Sequence, residues 1–158
     1  MNNMPRPALD ATDRRILAVL QRDASISHAA LAAEVSSSPA SCWRRIRALE
    51  EAGILGPAVR LLDPASIGRG LDVVCHVRLN SQQPDARASL EAFVLDRAEV
   101  MECYSMTGDW DYMLRIVVGD VRDFEAFLMQ DLLRHPAVAS SNSHFALKRV
   151  KYTTALPV

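Results

Sequence analysis

The chain has 158 residues, 49% of them hydrophobic and 23% charged, with a formal net charge of −1. That is room for one ordinary domain or two small ones, and it is too apolar and too near neutral for a disordered chain. The longest apolar stretches fall far short of the roughly 20 residues a membrane-spanning helix needs, and Met1–Leu9 lacks the apolar core of a signal peptide. Residues 1–60 carry eight Arg against six Asp/Glu, whereas residues 61–158 carry ten Lys/Arg against thirteen Asp/Glu. A weakly basic front and an acidic back suggest two modules with different partners. Cys42, Cys75 and Cys103 are odd in number and follow no metal-ligand spacing, so a reduced, cytosolic protein with no metal and no cofactor is expected.

Three short helical patterns come first. Ala11–Gln21 has Asp10 or Thr12 as a cap and Ile16, Leu17 and Leu20 on one stripe. Ser27–Val35 follows, capped by Ser27, with Leu31 and Val35 on one face. After a Ser-Ser-Ser-Pro turn, Pro39–Ala52 has Ser38 as cap, Pro at its first position, a Cys42–Ile46–Leu49 stripe, and Gly53 as its stop. The third helix exposes Ser38, Ser41, Arg44, Arg45 and Arg47, with Trp43 among them and Ser37 in the preceding turn. Three arginines in four residues near a helix start, after a short turn from another helix, is the helix-turn-helix arrangement. Guanidinium groups bridge guanine O6 and N7 or pair with phosphate, and small hydroxyls allow close approach of the helix N-terminus. By residue type alone the cluster reads equally well as a solvated face, and Trp43 as a packed side chain.

Residues 57–70 read as a linker strand and turn, with Val59–Leu62 as the strand. Beyond it, Leu71–Leu79 alternates as a strand, Asp85–Asp96 is a helix with Leu90, Phe93 and Val94 inward, and Val100–Met106 and Trp110–Val118 form a hairpin about Thr107-Gly108-Asp109. A second helix from Asp120 or Val121 to Leu133 stops at His135-Pro136, and Val138–Leu147, continuing toward Tyr152, is the last strand. The expected class is α+β: a three-helix helix-turn-helix domain at 1–56 and a βαββαβ ferredoxin-like domain at 71–158, whose open sheet face calls for a second copy. Cys75 and Cys103 read as inert core thiols, and His135 as a cap for helix-end carbonyls.

Asp109 and Asp111 flank Trp110 beside Gly108. No His or Cys follows at ligand spacing, so a metal site is disfavoured, as is catalysis. A hairpin turn accounts for the Gly-Asp pair. A Gly-bearing turn beside two carboxylates also suits a small zwitterion, whose carboxylate needs backbone N–H groups and whose ammonium needs an acid.

Leu9-Asp10-Ala11-Thr12-Asp13-Arg14-Arg15-Ile16-Leu17, then Ser38-Pro39 with Cys42, Arg45, Arg47 and Leu49-Glu50, resembles the Lrp/AsnC family of feast/famine transcription regulators. So do Leu62-Asp63-Pro64 with Gly68, the run Gly108-Asp109-Trp110-Asp111-Tyr112, and Val150-Lys151-Tyr152-Thr153-Thr154. The resemblance spans about Leu9 to Thr154. It implies a DNA-binding front and an amino-acid-responsive back. It also implies homodimers assembling further, often to octamers, with effectors between dimers near the Gly-Asp turn. Carried over by position, it places Thr107, Gly108, Asp109 and Asp111 at the effector site, with Ser141 and Ser143 from the last strand and Met101 and Tyr104 as walls. Pro57 after Gly56 departs from the family pattern. The ending Tyr152-Thr153-Thr154-Ala155-Leu156-Pro157 resembles a branch distinct from the leucine-responsive founder, so leucine is not assumed as effector. The expected function is thus sequence-specific regulation of amino-acid metabolism genes by a non-enzyme. The alternatives are a ligand-independent DNA-organising protein and a small ferredoxin-like enzyme.

Overall fold

The computed structural model describes residues 8–158. These form two compact units: residues up to Arg60 together with Lys151–Val158, and Leu61–Val150.

In the first unit, α1 (Ala11–Leu20) starts at a capping box. Asp10 Oδ1 accepts the N–H groups of Thr12 and Asp13, both at 2.8 Å, and Asp13 accepts the Asp10 N–H at 3.2 Å. This satisfies donors that a helix start otherwise leaves unpaired. The Ser27 hydroxyl caps α2 (His28–Glu34), and the Ser38 hydroxyl caps α3 (Pro39–Glu51), each at 3.2 Å. Two helix ends share one device. Ile54 N–H reaches Leu49 O and Gly53 N–H reaches Glu50 O after α3; Ser37 N–H reaches Ala32 O and Ser36 N–H reaches Ala33 O after α2. Both need a left-handed residue. Gly53 takes it at φ +68° without strain, but Ser36 takes it at φ +54°. Ile16, Leu17, Leu31, Val35, Cys42 and Leu49 form the small core.

The expected linker strand at Val59–Leu62 does not form. A strand requires a partner for its N–H and C=O groups, and Val59, Leu61 and Leu62 lie exposed between Pro57 and Pro64. Lys151–Val158 falls in the first compact unit.

The second unit is a four-stranded antiparallel sheet in the order β2-β3-β1-β4. Its strands are β1 (Leu71–Leu79), β2 (Val100–Ser105), β3 (Tyr112–Val118) and β4 (Val138–Phe145), and β4 stops short of the expected Leu147. Two helical segments pack on one face: α4 (Pro84–Leu95) and α5, which starts at Val121. Their Leu90, Val94, Phe124, Phe127 and Leu132 meet Val73, Cys75, Val77, Leu114 and Ile116 in a closed core. α5 is not one regular helix. It is α-helical to Ala126, π-helical over Phe127–Asp131 and 3-10 over Leu132–Arg134. In a regular helix Phe127 and Leu132 would point roughly 140° apart, at about 100° per residue; a widened i→i+5 turn brings both to the core. The other sheet face, carrying Asp72, Val74, His76, Arg78, Met113 and Arg115, has no helix of this unit over it.

Candidate nucleic-acid interface and ligand-binding turn

α3 buries Cys42 and Leu49 and exposes Ala40, Trp43, Arg44, Arg47 and Ala48. That periodicity leaves an outward stripe headed by Ser38 and flanked by Ser37 and Ser41. Trp43 is 54% exposed, so it is not a packed side chain. Among the described residues, Arg44 has no carboxylate partner. Among those residues Arg47 makes only an exposed 3.4 Å pair with Glu50, of a kind worth at most about 1 kcal/mol and readily exchanged.

Arg45 is different. Its Nη1 lies 2.7 Å from Asp10 Oδ2 and 2.7 Å from Asp13 Oδ1, and its side chain is 28% exposed. The two residues that cap α1 therefore also hold α3. The Asp13 and Asp10 carboxylates raise the guanidinium's affinity for its proton. Two backbone and side-chain donors, the Asp13 N–H foremost and Arg45 next, hold the Asp10 carboxyl below its ordinary 3.8. Arg45 is thus engaged by two carboxylates within the unit, whereas Arg44 and Arg47 stand on the outward stripe. The Leu9-Asp10-x-x-Asp13 run was the signal, readable only by knowing that α1 starts beside α3.

In the second unit, Gly108 turns the β2–β3 connection at φ +102°. β3 starts at Tyr112 rather than at the expected Trp110, because Asp111 ends the turn with its own groups. Its N–H donates to Val77 O at 3.0 Å and its carbonyl accepts the Met106 N–H at 2.8 Å. Its carboxylate accepts the Leu79 N–H at 2.7 Å and the Gln82 amide at 2.7 Å. These two bonds, the backbone one first, hold the Asp111 carboxyl below its ordinary range. Asp109 contributes its carbonyl, which accepts from Arg78 Nε at 3.0 Å and Nη2 at 2.8 Å. The same guanidinium lies 5.0 Å from the Trp110 ring. Among the described residues the exposed Asp109 carboxylate has no partner. The two acids thus divide: Asp111 builds the turn and Asp109 faces outward from it. Arg78 and Gln82, which sequence reasoning missed, lock the turn from strand β1 and the loop after it.

Met101 and Tyr104 are exposed on β2, one edge of the sheet. Tyr104 donates to Glu102 at 3.0 Å, and Glu102 pairs with Arg115, which pairs with Asp72. Ser141 and Ser143 lie on β4, the opposite edge, in register with the buried Val77 and Cys75. Three inter-strand spacings, about 14 Å, separate the edges. The faces differ as well. Tyr104 aligns through Met113 with His76 on the helix-free face, whereas the serines share the helix-covered side with Cys75. One chain therefore does not gather all eight expected ligand residues.

Cys75 is buried, but Cys103 is exposed on β2 and is not a core thiol. His135 ends the last helical turn: its N–H donates to Leu132 O at 3.2 Å, and its ring Nδ1 accepts the Ala137 N–H at 3.2 Å. No group of three or more His, Cys, Asp or Glu among the described residues is placed to hold a metal ion, and no helix there is long and apolar enough to cross a membrane.

Residues 9–50 match the model of the AsnC-type helix-turn-helix domain, and residues 72–156 that of the Lrp/AsnC ligand binding domain. The chain belongs to the Lrp/AsnC family. It is 35% identical to the DNA-binding transcriptional activator DecR of Escherichia coli over 150 residues, covering 95% of this chain and 99% of that protein. It is 39% identical to the Bkd operon transcriptional regulator of Pseudomonas aeruginosa, covering 95% and 98%. The structure superposes with a TM-score of 0.91 on a Neisseria meningitidis transcriptional regulator solved as its L-Met complex, at 38% identity over 95% of this chain and 97% of the other. Like its family, this chain is a DNA-binding transcription regulator, and the α2–α3 pair is its helix-turn-helix.

Proposed function

We propose that this regulator works in the cytoplasm as a homodimer that assembles further, to octamers, and reads duplex DNA with the outward stripe of α3. The observation that carries this reading is the division among the three arginines of α3. Arg45 is consumed by Asp10 and Asp13, whereas Arg44 and Arg47 stand on the exposed stripe with Trp43. Two cations beside the Ser37, Ser38 and Ser41 hydroxyls suit phosphate and base-edge contacts, and a two-fold dimer presents two such helices to a partly palindromic site.

The second module acts as a ligand sensor, not a catalyst. Its ligand is a small amino acid, held where the turn Thr107-Gly108-Asp109 offers backbone N–H groups to a carboxylate and the unpaired Asp109 carboxylate to an ammonium. Met101 and Tyr104 supply walls, and Asp111 shapes the turn without touching the ammonium. Ser141 and Ser143 join the site from a second copy, since within one chain they stand on the far edge of the sheet. The L-Met bound to the Neisseria regulator supports the ligand class. The ligand shifts DNA binding only as far as it prefers one assembly state over another.

Thermal denaturation against the twenty amino acids, followed by DNA binding with each hit, tests this. A ligand at about 100 times its Kd adds roughly 2.7 kcal/mol, and its effect on DNA affinity is expected to vanish in Asp109→Asn. DNA binding that no amino acid alters identifies a ligand-independent DNA organiser instead.

A further inference from the structure

The last eight residues are not among those assigned above to DNA reading or to the ligand-binding turn. The chain leaves the sheet unit at Val150, and Lys151–Val158 lies in the helical unit. There the side-chain amide of Gln21, the C-cap residue of α1, meets the backbone of Leu156 twice. Gln21 Nε2 donates to Leu156 O at 3.1 Å, and Gln21 Oε1 accepts the Leu156 N–H at 2.6 Å. An extended residue presents its own N–H and C=O to the same side, as in a hydrogen-bonded antiparallel pair, and a carboxamide is the side chain that offers one donor and one acceptor to match. The tail is prepared for this. Pro157 biases Leu156 toward extended backbone, and the Thr153 hydroxyl accepts the Ala155 N–H at 3.1 Å, ordering the approach.

We propose that residues 151–158 are a strap that docks on the end of α1 and ties the DNA-reading unit to the ligand-binding unit by a second covalent path, beside the linker at 57–70. The docking point is the C-terminus of α1, so the strap holds the unit at that end. A unit held by two tethers loses less freedom when two copies engage two half-sites at once. The strap therefore favours paired half-sites over single ones.

Two substitutions test this in the full-length protein. Gln21→Ala removes the clip from the helix side, leaving the Gln21 backbone cap in place. Leu156→Pro removes the donated N–H from the tail side and leaves α1 untouched. The probes are hydrogen exchange of the C-terminal peptide and binding to a duplex selected from a random pool by the wild-type protein, with and without one half scrambled. The expected result is exchange at Leu156 at least tenfold faster in Gln21→Ala. In both variants, and to the same extent in the double variant, affinity for the paired site is expected to fall threefold or more, with the scrambled duplex bound as before. Unchanged exchange in Gln21→Ala overturns the strap. Faster exchange with unchanged paired-site affinity overturns its positioning role, and so does an equal loss on both duplexes. None of these readouts involves an amino-acid ligand, so the strap and the proposed effector site stand or fall separately.

Discussion

The helix-turn-helix unit and the ligand-binding unit treat their clustered charges in the same way but with different partners. On α3 three cations lie within four residues; the middle one is held by Asp10 and Asp13 and its neighbours face outward. On the β2–β3 turn two acids lie two residues apart; one is held by a backbone N–H and an amide, and the other faces outward. In the first unit the held charge joins two helices through an ion triad. In the second it completes a strand end by standing in for a backbone acceptor. In each, the charge that looks most central to the motif builds the scaffold, and the adjacent charge faces outward, where the proposed function places its contact.

That comparison can be broken by substitution. The largest loss of stability is expected for Arg45→Ala, which leaves two carboxylates facing each other across the vacated site. With solvent reaching the triad, about 2 kcal/mol is expected, read as a lowered midpoint in urea. The acid response follows the same contact. Asp10 titrates below its ordinary 3.8 in the folded chain, so its contribution is present above that value and is lost as pH falls through and below it. In Arg45→Ala the acid-induced loss of stability is expected to be shallower, and an unchanged acid limb would sink this assignment.

Asp111→Ala comes next, at about 1–1.5 kcal/mol, because it leaves the Leu79 N–H at the end of β1 without its acceptor. Hydrogen exchange at Leu79 reports it directly. A smaller change of opposite sign is expected in the turn between α2 and α3. Ser36 holds a left-handed backbone that Gly108 in the second unit adopts without cost, so Ser36→Gly is expected to raise stability by up to about 1 kcal/mol; a lower melting temperature would show that the serine side chain compensates. Smallest in stability, within about 0.5 kcal/mol, are the outward charges. Arg44→Ala is expected to leave the fold as it is and weaken DNA binding, with the salt dependence shallower by about one counterion if Arg44 meets a phosphate. Asp109→Asn is expected to leave both folding and ligand-free DNA binding as they are and to remove the amino-acid response. If either outward variant unfolds as readily as its inward neighbour, the division of roles is wrong.

Much of this architecture was legible without coordinates. Ser27 and Ser38 cap the helices they were expected to cap, Gly53 ends α3, and β1 spans Leu71–Leu79 as its alternation indicates. Each is a short-range effect: a hydroxyl meets an N–H three residues on, or a side chain alternates between a wet and a dry face. The misreadings share the opposite character. Val59–Leu62 has strand-like residues but no partner strand, α5 widens to bring Phe127 and Leu132 to one core, and Cys103 looks apolar but sits on an edge strand.

The amino-acid sequence by itself determined the elements, their order and the two kinds of module, because caps, turns and periodicity act over three or four residues. Only the tertiary structure decided which charges are spent. Arg45 meets its carboxylates 32 and 35 residues away, Asp111 meets Leu79 across 32, and Leu156 meets Gln21 across 135. Such pairings depend on where folding brings distant segments together, and no local pattern encodes that distance.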